Sequence, residues 1–157
     1  MLILRQGGNS LLLDVLDYQE AEAADTLASN ELLVSIELRS RGRSSLITAV
    51  LLSTFELSSI ADWLEVVASG TGCDPIRLAT PDLHFDVVRQ PGNLYHLSIY
   101  MEGNAAPQWN GDHFVAEPFT IRFEVDSIQL RNAARELRLL HFRFPTQAGR
   151  PLDRQLH

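Results

Sequence analysis

Twice along this chain a block of alternating apolar and polar residues runs into a segment with a helical period. The first block closes on Leu51-Leu52-Ser53-Thr54-Phe55-Glu56-Leu57 and continues as Ile60-Ala61-Asp62-Trp63-Leu64-Glu65-Val66-Val67. The second runs through Phe119-Thr120-Ile121-Arg122-Phe123-Glu124-Val125-Asp126 to Ala133-Ala134-Arg135-Glu136-Leu137 and Phe144-Pro145. Alternation puts successive side chains on opposite faces of a strand, whereas recurrence at i, i+3, i+4 and i+7 lines one side of a helix. Each block therefore predicts strands followed by a helix.

Residues 2–6 and 11–16 read as strands about Gly7-Gly8-Asn9, because Gly and Asn accept the positive φ of a tight hairpin. Residues 17–30 have no period and several acids, which predicts a loop. Residues 32–39 and 44–52 form a second hairpin about Arg41-Gly42-Arg43. Short strands are expected at 76–78, 83–89 and 94–102, the last two joined through Pro91-Gly92-Asn93, with a break over 103–111 before 119–125. Ser53 and Glu56 have capping-box spacing, in which hydroxyl and carboxylate satisfy the N–H groups that a helix start leaves free. Leu57, Ile60, Ala61, Leu64, Val67 and Ala68 then share one face, and Gly70 supplies a stop. Asp126 and Gln129 repeat the spacing before a stripe of Leu130, Ala133, Ala134, Leu137, Leu140, His141 and Phe144, which Pro145 ends. Hairpin-linked strands with helices at the ends of two blocks predict an α+β fold. The expectation is a mainly antiparallel β-sheet of short strands with two amphipathic helices packed on it, one domain over residues 1–145 and a loosely ordered tail over 146–157.

Composition narrows the function. The 157 residues suit one domain, and 45% apolar with 21% charged residues suits a packed core rather than disorder. A net charge of −7 argues against direct nucleic-acid binding by phosphate neutralisation and favours a basic protein partner. Cys73 is the single cysteine, so neither an intramolecular disulfide nor a cysteine-rich zinc site can form. The start lacks a basic segment followed by a long apolar one, and no run approaches ~18 apolar residues, so a cytoplasmic protein without a membrane partner is expected.

Candidate chemistry is sparse. His84 and Asp86 share one strand face and His96 and Ser98 share a face of the next, so paired strands could gather a metal or acid–base cluster. The plainer reading is a solvated polar sheet face. The chain has no H-E-x-x-H, G-x-S-x-G or Walker sequence, and no base is placed beside Cys73. No catalytic residue, metal or cofactor is specified. A ligand-binding module stays open if Tyr95, Tyr100 and Phe119 line an apolar pocket between sheet and helices.

Charge is distributed more tellingly. Asp14, Asp17, Glu20, Glu22, Asp25, Glu31 and Glu37 follow one another with no basic residue among them. The first six, with Trp109 if it is exposed, form the candidate partner-binding set, since Trp is enriched at binding centres. A Trp closing the end of the sheet core is the competing reading. Arg131, Arg135 and Arg138, at i, i+4 and i+7, form a ridge that is a second candidate for a partner, or else a solvated helix face.

Several short motifs occur in a telling order. These are Gly8-Asn9-Ser10-Leu11-Leu12-Leu13-Asp14-Val15-Leu16, Glu31-Leu32-Leu33-Val34, Leu52-Ser53-Thr54-Phe55-Glu56-Leu57 with Trp63-Leu64, Pro81-Asp82-Leu83-His84-Phe85, Pro107-Gln108-Trp109, and Ala133-Ala134-Arg135-Glu136-Leu137 with Phe144-Pro145. In that order the chain resembles the WapI-type immunity proteins of bacterial polymorphic and contact-dependent toxin systems. It departs from the pattern at Phe55, where a Trp is expected, and at Asn30-Glu31, where an aromatic is typical. The resemblance implies a small cytoplasmic, non-catalytic protein that binds and neutralises a cognate toxin domain, often a nuclease.

Overall fold

In a computed structural model, which describes residues 1–23, 25–109 and 117–148, the strands divide between two antiparallel sheets. Strands β1 (Leu2–Gln6), β2 (Asn9–Tyr18), β3 (Glu31–Ser40) and β4 (Arg43–Ser53) lie in chain order, with a one-turn helix α1 (Thr26–Ser29) between β2 and β3. After helix α2 (Thr54–Ala68), strands β5 (Leu83–Gln90), β6 (Leu94–Met101) and β7 (Phe119–Asp126) form the second sheet, and helix α3 (Ser127–Arg143) follows. This is the α+β fold of antiparallel hairpins expected from the sequence.

Local chemistry sets the boundaries. The β3–β4 loop is two residues, Arg41 and Gly42, both at positive φ (51° and 76°), which matches the right-handed twist of the flanking strands. Ser53 Oγ accepts the Glu56 N–H at 3.3 Å while Glu56 Oε1 accepts the Ser53 N–H at 3.0 Å. Asp126 and Gln129 make the same reciprocal pair, both at 2.8 Å. Each strand block thus hands its chain directly to a helix. Gly70, at φ +79°, ends α2 where a side chain would be strained.

One core joins these layers. Leu11, Leu13, Val34, Ile36 and Leu38 from the first sheet meet Phe85, Leu97, Ile99, Ile121 and Phe123 from the second. Leu57, Ile60, Leu64 and Val67 of α2 and Leu130, Ala134, Leu137 and Leu140 of α3 complete it. His141 and Phe144, expected on that stripe, are only half-buried. His141 Nε2 lies 3.2 Å from Thr146 Oγ1, and Phe144 packs edge-on against Tyr18 at 5.5 Å. The sheets also touch through polar groups, Gln6 Oε1 accepting the Glu124 N–H at 2.6 Å, and the segment between β6 and β7 is tied to β4 where the Gln108 N–H donates to Ser45 Oγ at 2.8 Å.

Two expected segments differ. The stretch 76–78 is not a strand, because its surroundings are side chains of α2 rather than a neighbouring backbone. Trp63 Nε1 donates to the Asp74 carbonyl at 2.6 Å and the Ala79 N–H donates to Glu56 Oε2 at 3.0 Å, so the segment is pinned as extended coil with Ile76 buried. The expected loop 17–30 contains the end of β2 and all of α1. Four residues are too few to reveal a helical period.

Candidate partner interface

The acidic residues gather around one surface, the open face of the four-stranded sheet. Register fixes which side chains share it: Ile3, Leu12, Glu37 and Leu46 form one cross-strand row, Asp14, Ser35 and Thr48 the next, and Asp17, Leu33 and Val50 a third. Between Val15 and Asp17 the register slips by one residue, a bulge that leaves both Leu16 and Asp17 exposed. Glu31 lies exposed beyond the third row, and Glu20, Glu22 and Asp25 lie exposed in the adjoining segment. Arg5 and Arg39 occupy the opposite end, where Arg39 Nη2 sits 3.4 Å from Glu37 Oε1. The face therefore has acids concentrated at one end and arginines at the other, with two rows carrying apolar side chains separated by the polar row of Asp14, Ser35 and Thr48.

A buried polar knot holds the acidic segment in place. Asn30 is fully buried, its Nδ2 donating to the Thr26 carbonyl at 2.7 Å and the Gln147 carbonyl at 2.8 Å. Its Oδ1 accepts from the Gln147 N–H at 2.7 Å and from Thr54 Oγ1 at 3.0 Å. Asp25 caps α1 by accepting the Leu27 N–H at 3.0 Å, so one of the acidic candidates also shapes the loop. Tyr18 donates to the Pro145 carbonyl at 2.5 Å, and its phenol pKa is pushed up, chiefly by burial, against a lowering hydrogen bond from Gln147. The domain end expected at residue 145 falls inside this knot: Thr146 and Gln147 are hydrogen-bonded, while 149–157 of the expected tail lie outside the described residues.

The other candidates take different places. Trp109 is buried at 8% exposure, edge-on to Phe119 at 5.0 Å with the Arg43 guanidinium 4.4 Å from its ring centroid. It closes the core rather than presenting a hot spot. Arg138 reaches Asp62 Oδ1 at 2.7 Å and Glu65 Oε2 at 2.8 Å, tying α3 to α2. Those hydrogen bonds hold the Glu65 carboxyl below its ordinary range and raise the guanidinium still further above neutrality. Arg131 Nη2 lies 3.4 Å from the Ala68 carbonyl at the end of α2. Arg135 stands apart, lining a groove of about 380 Å³ with Ile3, Gln129 and Glu136. The arginines are thus not one shared grip.

Strand pairing does not bring His84 and His96 together. His84 pairs with Tyr100 whereas His96 pairs with Val88, four positions along β5 and so ~13 Å apart. Among the described residues no group of three His, Cys, Asp or Glu side chains could hold a metal ion. Tyr95 is buried while Tyr100 occupies the opposite, exposed face of β6, so the two do not line one pocket with Phe119. The cleft beside Tyr100 and Phe119 is about 170 Å³, below the ~300–1,000 Å³ of ordinary ligand sites.

Sequence reasoning missed Asn30 and the exposed apolar residues of the sheet. For the apolar residues the signal was present. Leu11-Leu12-Leu13, Leu32-Leu33-Val34 and Val50-Leu51-Leu52 are unbroken apolar runs, whereas a sheet with one solvated face alternates.

Among the described residues no helix is long and apolar enough to cross a membrane. No curated protein and no solved structure matches the chain. A family model, that of the Immunity protein WapI-like family, matches residues 1–145. With the match spanning both sheets and α1 to α3, the chain belongs to the WapI-like immunity protein family.

Proposed function

We propose that this protein is a non-catalytic immunity protein that binds a cognate toxin domain in the cytoplasm and blocks it, and that the toxin is a nuclease. Membership of the immunity family carries the first part. The acidic surface supports the second. A nuclease needs a basic surface to hold phosphate, and a protein with net charge −7 and a concentrated acidic segment complements that surface and accelerates encounter. Asp14, Asp17, Glu20, Glu22, Asp25 and Glu31 are the acids assigned to it.

Co-expression tests the reading in cells. A host producing the cognate toxin domain, sought among the genes adjacent to the one encoding this chain, should stop growing and should recover when the chain is supplied in trans. Continued arrest, with both proteins present at comparable levels, contradicts it.

A further inference from the structure

We infer that the toxin domain seats on the open face of the four-stranded sheet, with Ile3, Leu12 and Leu46 in one row and Leu33 and Val50 beyond the polar row of Asp14, Ser35 and Thr48 as its apolar contacts, and the acids on and beside the face as its charged ones. This inference rests on the reading as an immunity protein. A sheet face left to water is normally polar, yet Leu46 here is 65% exposed and Ile3, Leu16 and Val50 are exposed elsewhere in the same sheet. Exposed apolar side chains interleaved with charged ones on an open sheet face mark it as a candidate protein interface.

Size is adequate. Strands β2, β3 and β4 have 10, 10 and 11 residues. At ~4.8 Å between strands and ~3.4 Å per residue they present on the order of 500 Å². Strand β1 and the acidic segment bring this toward the ~800 Å² that each partner contributes to a stable complex.

Charge selects the occupant. Asp14, Asp17, Glu31 and Glu37 stand on the face and Glu20, Glu22 and Asp25 beside it, against Arg5 and Arg39. Of those two, Arg39 already engages Glu37. Two copies of this chain, each at −7, carry a net repulsion, whereas a basic domain would meet the acids with opposite charge. The bulge in β2, which leaves Leu16 and Asp17 exposed side by side, brings the apolar and acidic parts together.

The test uses the full chain and an inactivated form of the toxin domain from which it rescues cells, in a binding titration. Leu46→Ser should weaken Kd by about tenfold or more, chiefly through faster dissociation. Phe142→Ser, at an 84% exposed position on α3, should leave it unchanged. If serine lowers the melting temperature, Leu46→Thr retains a strand-favouring side chain and serves as the variant. Tight binding by both wild type and the Leu46 variants overturns this face while leaving the immunity reading intact. A wild-type chain that does not bind overturns both. A wild-type dimer that Leu46→Ser dissolves assigns the face to a second copy and overturns the toxin as its occupant.

Discussion

Replacing Asn30 with alanine removes four side-chain hydrogen bonds from a fully buried position: two donated to the Thr26 and Gln147 carbonyls, and two accepted from the Gln147 N–H and the Thr54 hydroxyl. A typical hydrogen bond contributes a net ~0.5–1.5 kcal/mol, so four bracket about 2–6 kcal/mol. Water can reach the Thr26 and Gln147 ends, and the Thr54 hydroxyl keeps Thr146 Oγ1 at 3.1 Å, which places the cost in the lower half, about 3 kcal/mol. For a chain of this length that is a fall of roughly 6–12 °C in Tm. Urea unfolding followed by circular dichroism measures it, with the denaturant slope unchanged if the fold is kept. Asn30→Asp provides the sharper contrast. It exchanges the donor for an oxygen facing two carbonyls, so it should destabilise at neutral pH and recover partly in acid, where the carboxylic acid again donates. A loss below about 1 kcal/mol for Asn30→Ala, or an Asn30→Asp chain as stable as wild type at neutral pH, would refute the knot as the anchor of the acidic segment.

Two further outcomes follow from charge. Glu65 titrates below its ordinary value near 4.5 because Arg138 hydrogen-bonds its charged form, so its stabilisation is present above the unfolded pKa and lost as pH falls through the folded one. Arg138→Met should therefore flatten the acid limb of Tm below about pH 5, by a modest amount that added salt diminishes because the pair is exposed; an unaltered limb contradicts the linkage. Replacing Glu20, Glu22 and Asp25 together with Gln, Gln and Asn should slow association with the toxin domain and reduce its salt dependence, while Asn at 25 keeps the α1 cap. Equal association rates at low and high salt would remove the acidic segment from the interface.

Legibility in the sequence tracked how local each signal is. Both capping boxes, the Gly70 stop and the hairpin turns need only a few neighbouring residues, and all are where the spacing put them. The division into two sheets, and the location of 76–78 against α2, depend on long-range pairing that no local pattern encodes. At the candidate interface the acidic run was legible as composition. Its coincidence with an apolar sheet face was not, because two register slips, at Leu16 and near Leu51, decide which residues face outward. Trp109 and Arg138 show the same limit: that the ring packs on Phe119 and Arg43, and that the guanidinium pairs with Asp62 and Glu65 across the two helices, depends on tertiary neighbours far away in the sequence.

Titrating the purified chain into the active toxin domain, with cleavage of a fluorescent nucleic-acid substrate as readout, tests neutralisation by binding most directly. Cleavage should fall linearly with added chain and vanish at one equivalent, with the toxin recovered intact after denaturation. Undiminished cleavage at several-fold molar excess of chain, or toxin found cleaved or modified, would contradict neutralisation by a non-catalytic binding surface.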